Sequence, residues 1–208
     1  MKKNKKILIY RILLILLIIC AIVIGGIIFH KQYEDQVYEK ENKELAQLFH
    51  EEEKKMENEN SKNDKKEKKK IDLEYKGQKV IGLIEIPAID LEYPILEKTT
   101  KLAMATSISR YYGGEINEYG NVSLAGHNNY SGTMFGKNKN LKKGDDVLLT
   151  DLTGNTLRYE IYDIFVTHPD DTEVLETKDK TIREVTLITC KNGRSERLII
   201  KAKEIIKS

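Results

Sequence analysis

The uncharged run from Ile12 to Phe29 constrains this chain more than any other feature of its sequence. A run of about 20 apolar residues can cross a bilayer as a helix, because a helix satisfies its own backbone hydrogen bonds. The run is longer than the apolar region of a typical cleaved signal peptide, and Gly25-Gly26 is followed by more apolar residues. We therefore expect an uncleaved transmembrane anchor over residues 1–30, with a cleaved signal peptide as the alternative.

The charges that flank this run predict its orientation. Basic residues precede the run at Lys2, Lys3, Lys5, Lys6 and Arg11. Positive charges are retained on the cytoplasmic side of a membrane, so the N-terminus is expected to be cytoplasmic. The chain is thus expected to be a single-pass protein of the cell membrane, with the residues from about 31 onward outside the cell.

The segment 31–70 is rich in Glu, Lys, Asp and Asn and contains neither Gly nor Pro. A heptad that starts at Val37 places Glu41 and Glu44 at core positions, so a coiled coil is not supported. We expect a charged spacer that is helical at first and disordered over Asn58 to Lys70. The lysine-rich 65–70 stretch could contact an anionic polymer or lipid, but a solvated tether is favoured.

Composition excludes several classes of protein. The net charge is only +2, and no zinc-finger or aromatic RNA-binding pattern is present, so a nucleic-acid partner is not expected. The two cysteines are Cys20, which lies in the apolar run, and Cys190, so a disulfide framework is excluded.

Residues 71–208 are long enough for one domain and read as many short strands joined by turns. Pro94 is expected to place its strand at an edge or a bend. This pattern predicts an all-β barrel or sandwich with short helices. The predicted strands are 80–87, 91–96, 121–125, 146–150, 156–166, 185–190 and 197–202, and a short helix is predicted over 102–107.

Cys190 ends the apolar strand from Val185 and is either a small buried residue or a nucleophile. A nucleophilic cysteine needs a base and a donor for the oxyanion. His127 follows Gly126 at a strand end and is the favoured base. Arg197 begins the next strand and stays protonated, so it is the favoured donor.

The other histidines and the neighbouring arginine are set aside as candidates. They are His30 at the membrane boundary, His50 in the spacer, His168 as an exposed turn residue and Arg194 as a solvated loop residue.

The segments Leu124-Ala125-Gly126-His127 and Thr186-Leu187-Ile188-Thr189-Cys190, followed by Arg197, resemble the active-site signature of the sortase family. The likeness covers about residues 78–206. It implies an eight-stranded β-barrel and a membrane-anchored cysteine transpeptidase of Gram-positive cell surfaces. By this resemblance, Cys190 would cleave a Leu-Pro-x-Thr-Gly sorting signal between Thr and Gly, His127 would transfer protons, and Arg197 would hold substrate and oxyanion.

The resemblance also implies the partners and the substrate groove. The substrates would be proteins that carry the sorting signal, and the acceptor an amine of a cell-wall precursor or a pilin. No cofactor and no complete metal site are implied, because Tyr112 and Thr177 stand at two positions where some sortases carry calcium ligands, although Glu115 matches a third. The loop from His168 to Ile182 would cover the Leu-Pro end of the signal. The implied groove residues are Ala125, Val166, Val174, Leu175, Thr186, Ile188 and Thr189.

The short Lys191–Glu196 connection resembles class A or class D sortases rather than class B. Two other functions stay open at this point. One is a tethered β-barrel binding module in which Cys190 and His127 are packing residues. The other is a cysteine peptidase that only hydrolyses its substrate.

Overall fold

The computed structural model describes residues 2–60, 70–177 and 179–206, which form two compact units, Met1–Val37 and Tyr38–Ser208. The helices are α1 (Lys2–Asn60) and α2 (Lys101–Thr106). The strands are β1 (Glu74–Tyr75), β2 (Gln78–Ile86), β3 (Leu91–Leu96), β4 (Ile108–Tyr112), β5 (Gly120–Ala125), β6 (Asp146–Asp151), β7 (Thr156–Thr167), β8 (Arg183–Lys191) and β9 (Glu196–Glu204).

The first unit is the N-terminal part of α1. Among the described residues, this is the one helix whose length and composition suit a membrane span. The side chains from Ile12 to Phe29 are all exposed. An apolar helix with no protein surface to cover it is stable in hydrocarbon rather than in water. The apolar helix expected over residues 1–30 is therefore present.

The second unit contains a closed β-barrel. Strands β2 to β9 are hydrogen-bonded in the order β2-β3-β4-β5-β8-β9-β7-β6, and an antiparallel pairing of β2 with β6 closes the ring. The two-residue strand β1 adds to β2. Closure leaves none of the eight strands with a free edge. The predicted eight-stranded barrel is confirmed.

The strand pattern of the sequence located most of these elements. The strand predicted at Leu91–Leu96 is present as β3, with the same bounds. Its pairing with β4 involves only Ile95 and Leu96, the two residues that follow Pro94. A proline has no N–H to donate, which suits a position without a β4 partner. Strand β4 was not predicted, because its residues Ile-Ser-Arg-Tyr-Tyr do not alternate clearly between apolar and polar.

The barrel interior is the main hydrophobic core. Alternate residues of each strand point inward because successive side chains of a strand lie on opposite faces. On β8 the inward residues are Val185 and Leu187, and on β9 they include Leu198 and Ile200. By the same alternation, Ile188 and Cys190 on β8 and Ile199 on β9 lie on the other face.

A second core lies between α1 and the barrel, and it corrects the solvated spacer that the sequence analysis expected. We call residues 38–56 the docking segment. Its Leu45, Phe49 and Met56 are buried in one cluster with Val80, Leu83, Leu96 and Ala103 of the barrel unit. Their spacing of four and then seven residues places them on one face of a helix. The predicted disorder over Asn58–Lys70 falls mostly on residues 61–69, which lie outside the described residues.

Polar contacts border this second core. Glu41 of the docking segment accepts a hydrogen bond of 2.5 Å from the Tyr75 hydroxyl and pairs with Lys76 at 2.8 Å. The hydrogen bond with Lys76, followed by that with Tyr75, lowers the pKa of Glu41. Asn42 Nδ2 donates to the Thr106 carbonyl at 2.6 Å. The docking segment is therefore bound through both apolar and polar groups.

His50, which the sequence analysis set aside, lies at the same interface. Its Nε2 is 2.6 Å from Glu92 Oε1 on β3, and its Nδ1 is 3.2 Å from Glu53 Oε2. Burial opposes protonation of the ring, but the hydrogen bonds with Glu92 and Glu53 outweigh burial and raise the pKa of His50. Glu85 also faces the ring, and its pKa is raised by burial and by the charge of Glu92.

Removing the Phe49 ring tests the docking of this segment. Phe49 is fully buried whereas its neighbour Leu48 is 48% exposed. We expect Phe49→Ala to lower the free energy of unfolding by about 3 kcal/mol, and Leu48→Ala to change it by less than about 0.5 kcal/mol. Denaturant unfolding of the full chain in detergent measures both. Equal small effects would show that the segment is a solvated spacer.

The stability of the docked state is expected to depend on pH. A group whose pKa is raised on folding stabilises the fold below its unfolded pKa, about 6.5 for histidine, and this stabilisation is lost as pH rises through the folded pKa. The Tm difference between the native chain and His50→Gln should therefore be largest below about pH 6.5 and shrink toward pH 8. His168→Gln, which alters an exposed histidine, is the control. A His50→Gln difference that stays constant with pH would contradict this.

Candidate active site

The site is built on β8, because β8 lies between β5 and β9 in the barrel. The β5 pairing is parallel and places Ala125 beside Ile188. The β9 pairing is antiparallel and places Arg197 directly opposite Cys190. Residues directly opposite each other in an antiparallel pair lie on the same face, with Cβ atoms about 5 Å apart. The thiol and the guanidinium therefore share one face of the barrel wall.

A groove of about 200 Å³ lies on this face. Its floor is formed by Ile188 and Cys190 of β8 and by Arg197 and Ile199 of β9. Its other lining residues come from β8, the ends of β5 and β7, β4, the α2 region and the loop after β7. They are Thr99, Met104, Tyr111, Ala125, Gly126, Thr167, His168, Pro169, Asp171, Thr172, Val174, Leu175 and Thr189.

His127 is held beside the end of β8 by hydrogen bonds of its two neighbours. The Gly126 N–H donates to Ile188 O at 3.2 Å, and Gly126 O accepts from the Thr189 hydroxyl at 2.8 Å. On the other side of the histidine, Asn128 Nδ2 donates to Cys190 O at 2.8 Å. The chain on both sides of His127 is thus bound to residues 188–190. The half-buried histidine is therefore next to the cysteine strand, although 63 positions separate the two residues in sequence.

Glycine is required at position 126 for this close approach. A Cβ atom there would lie 2.9 Å from Phe135 Cδ2 and 3.3 Å from Ile108 Cγ1. Real Cβ atoms do not approach a fully buried ring this closely, so the backbone would have to move away. A side chain at position 126 would therefore displace His127 from β8.

Arg197 is held by the turn that joins β8 to β9. Its Nη1 donates to the carbonyls of Arg194 at 3.0 Å and Glu196 at 3.1 Å. Arg194 itself is exposed and has a left-handed φ of 97°. Two bonds from one nitrogen fix the plane of the guanidinium, while Nε and Nη2 carry three more N–H groups. The site thus places a fixed positive charge beside Cys190.

The groove is covered at its other end by the loop that contains the short helix Glu173–Leu175. Asn121 of β5 holds this loop, because its Nδ2 donates to Val174 O at 3.4 Å and to Leu175 O at 3.2 Å. The Asn121 backbone N–H also donates to Thr177 Oγ1 at 3.1 Å. Asn121 Oδ1 accepts from the Thr186 hydroxyl at 2.8 Å.

The structure places the predicted groove residues unequally. Ala125, Val174, Leu175, Ile188 and Thr189 line the groove. Val166 and Thr186 are not among the lining residues that the structure describes. Val166 is 38% exposed and its neighbour Thr167 lines the groove instead, because adjacent strand residues face opposite sides. Thr186 is fully buried and supports Asn121 beneath the covering loop.

Three further residues lie at the site and were not predicted from the sequence. His168, set aside as an exposed turn residue, lines the groove although its side chain is 72% exposed. Ile199 could have been found, because it lies two positions after Arg197 on the same face of a strand. Asn128 could not have been found, since its bond to Cys190 O depends on the packing of the loop after β5.

The positions that match calcium ligands in some sortases lie away from the cysteine. Glu115 accepts a hydrogen bond of 2.8 Å from Arg110 Nη1, and Thr177 Oγ1 accepts from Asn121. Tyr112 and Thr177 line a second, more open pocket.

Among the described residues, His50, Glu85 and Glu92 also bring possible metal ligands within 4.8 Å of one another. Both ring nitrogens of His50 already have carboxylate partners, so an ion-pair cluster accounts for this proximity.

The fold and the groove define a class of protein: a closed eight-stranded barrel with cysteine and arginine opposite each other on two strands and histidine at the end of a third. The sortase domain family model matches residues 84–205. The chain belongs to the sortase family. This confirms the family that the sequence motifs resemble.

Individual relatives agree with this assignment. The chain is 36% identical over 114 residues to sortase A of Bacillus anthracis, a match that covers 54% of this chain and about half, 53%, of the relative. It is 29% identical over 177 residues to sortase A of Staphylococcus aureus, covering 81% of this chain and 82% of the relative. A sortase D5 transpeptidase of Clostridium perfringens superposes with a TM-score of 0.60 at 30% identity, covering 82% of this chain and 99% of that chain.

Asn121 is expected to control the order of the covering loop. Asn121→Ala leaves two loop carbonyls without a donor, so hydrogen exchange at residues 173–177 should quicken about tenfold. Asn117→Ala is the matched control, because Asn117 Nδ2 also donates to two backbone carbonyls, those of Leu149 and Asn155, which lie outside this loop. Hydrogen-exchange mass spectrometry measures both. Equal loop exchange in the two variants would rule out the role of Asn121.

Proposed function

We propose that this protein is a membrane-anchored cysteine transpeptidase that cleaves a Leu-Pro-x-Thr-Gly-like sorting signal between Thr and Gly and transfers the acyl group to an amine. The observation that carries the proposal is the register of β8 and β9, which places Cys190 opposite Arg197 in one groove. The hydrogen bonds around His127 add an imidazole at the adjacent strand end. Thiol, imidazole and guanidinium are the groups that acyl transfer through a thioester requires.

The proposed reaction has two steps. The Cys190 thiolate attacks the carbonyl carbon of the threonine, and the tetrahedral intermediate collapses to a thioacyl-enzyme as the Thr–Gly bond breaks. His127 gives a proton to the leaving amine. In the second step the acceptor amine attacks the thioester carbonyl and gives a proton to His127, and the C–S bond breaks to release the new amide and the Cys190 thiolate. Arg197, held by the turn carbonyls, donates hydrogen bonds to the substrate and to the oxyanion. Side chains alone supply these roles, so the proposal includes no cofactor.

The lining of the groove suits an extended peptide. Strand residues rise by about 3.3 Å each, so the β8 wall from Ile188 to Cys190 is about 7 Å long, and Val174 and Leu175 of the covering loop line the same groove beside it. In this proposal the threonine of the signal lies at Cys190 and its leucine and proline lie under Val174 and Leu175. Ala125, Ile188 and Thr189 contact the middle of the signal. Thr186 acts indirectly, through Asn121.

The proposal includes the location of the protein. Residues 1–30 anchor it with the N-terminus in the cytoplasm, because the lysines before the apolar run are retained there. Residues 71–208 form the catalytic domain outside the cell, joined by the docking segment. The sorting-signal proteins and the acceptor, an amine of a cell-wall precursor or a pilin, are met on that side.

A peptide assay with variants tests the proposal. The full chain in detergent should convert a Leu-Pro-x-Thr-Gly peptide and an amine into the transfer product. Cys190→Ala should abolish transfer, and His127→Ala and Arg197→Ala should each lower kcat/KM by about 10²- to 10³-fold, because each removes a group that stabilises the transition state. Arg194→Ala is the matched control, since it removes an equal charge from the same turn and should leave the rate within about twofold.

The product and the variants separate the alternatives. Formation of the free acid alone, across a range of amines, would mean a hydrolytic peptidase. Peptide binding without cleavage, unaffected by Cys190→Ala, would mean a binding module. An unchanged rate in His127→Ala or Arg197→Ala would remove that residue from the mechanism.

A further inference from the structure

The Tyr93 hydroxyl joins the docking segment to the loop that follows His127. We propose that Tyr93 is a positioning residue for the active site, and that Glu39 of the docking segment orients its hydroxyl. The inference rests on the proposed function, because it assigns these residues to the geometry of the same site. It gives residues 38–56 a part in catalysis beyond attachment to the barrel.

On the loop side, Tyr93 holds Met134. The Met134 N–H donates to the Tyr93 hydroxyl at 3.0 Å, and both side chains are buried. Met134 has φ 50° and ψ −124°, a conformation that a residue with a side chain adopts only when its surroundings impose it. The hydrogen bond that the Met134 N–H donates to Tyr93 is one such constraint. Its loss would allow the loop to relax at Met134.

Met134 and the residue after it are linked by hydrogen bonds to the backbone of His127 and, through Asn128, to that of Cys190. It forms an isolated antiparallel bridge with Asn128, the residue whose amide donates to Cys190 O. The next residue, Phe135, donates its N–H to His127 O at 3.0 Å. The backbone of His127 and the support of Cys190 therefore both depend on where the 134–135 peptide lies.

On the helix side, the Tyr93 hydroxyl donates to the Glu39 carboxylate. A phenolic hydroxyl has one proton to donate, so donation to Glu39 leaves its oxygen lone pairs for the Met134 N–H. A hydroxyl that donates to a carboxylate is also a stronger acceptor, since hydrogen bonds in series polarise one another. Tyr93 is only 4% exposed, so water does not compete for these bonds. Donation to Glu39 thus favours the orientation of the hydroxyl in which its oxygen accepts the Met134 N–H.

The chain contains a matched pair without this connection. Tyr75 likewise donates its hydroxyl to Glu41 of the docking segment. Tyr75 lies on β1, at the outer side of β2, and not beside the loop after β5. Loss of the Tyr75 hydroxyl therefore weakens the contact of the docking segment without touching the active-site loop.

The test compares Tyr93→Phe, Glu39→Ala, their double variant and Tyr75→Phe in the full chain in detergent. Tyr93→Phe should lower kcat for transfer to an amine about tenfold, because displacement of the catalytic groups by a fraction of an ångström costs rate. KM for the peptide should stay within about twofold, because the variant leaves the groove lining intact. Glu39→Ala should lower kcat by a similar factor. The kcat of the double variant should be no lower than that of Tyr93→Phe, since both changes break the same pair of connected hydrogen bonds. Tyr75→Phe should keep the native kcat while lowering Tm by a similar amount.

Hydrogen exchange gives a readout that does not need activity. Tyr93→Phe and Glu39→Ala should quicken exchange at the Met134 and Phe135 amides about tenfold, whereas Tyr75→Phe should not. If the native chain transfers no acyl group but these amides respond, the proposed function fails and the positioning role stands. If kcat and exchange are the same in Tyr93→Phe and Tyr75→Phe, Tyr93 is only structural and the inference is overturned.

Discussion

The parallel pairing of β5 with β8 is the constraint on which the rest of the structure depends. Parallel strands need a long crossover, and here β6 and β7 lie within it, so the chain builds two of the eight barrel strands between β5 and β8. The antiparallel partner β9 then returns directly and places Arg197 opposite Cys190. Cys190 and Arg197 therefore share one groove, and the chain on both sides of His127 is bound to the end of β8, only when the barrel closes. The site is a property of the whole barrel rather than of one segment.

The candidate site is also connected to the chain that precedes the barrel. The docking segment buries Phe49 against β2 and β3, and from the same helix Glu39 reaches Tyr93. Tyr93 in turn accepts a hydrogen bond from Met134, which lies in the loop that begins at His127. Strand ends in a closed barrel are held by their neighbours whereas loops are more mobile, so in the proposed mechanism His127, which follows β5, gains from support outside the barrel. The helix after the apolar run is placed to give that support.

The sequence predicted strands wherever alternation was clear. Leu91–Leu96 and the strand that ends at Cys190 were found from β-branched and apolar residues between turn signals. β4 was missed because its residues carry little alternation. The docking segment was missed for a different reason: a heptad counted from Val37 meets glutamates, whereas the apolar stripe begins at Leu45. A stripe of three residues in a charged helix becomes visible only when its partner surface is known.

The sequence by itself determined the apolar helix, the all-β class, the family and the identities of Cys190, His127 and Arg197 as candidates, because residue chemistry and strand period are local properties. Only the tertiary structure decided which strands are neighbours, that Thr167 rather than Val166 faces the groove, and that Asn121 holds the covering loop. It also decided that Glu39 reaches a barrel tyrosine. These facts depend on register and packing between distant segments, where a shift of one residue reverses which face a side chain occupies.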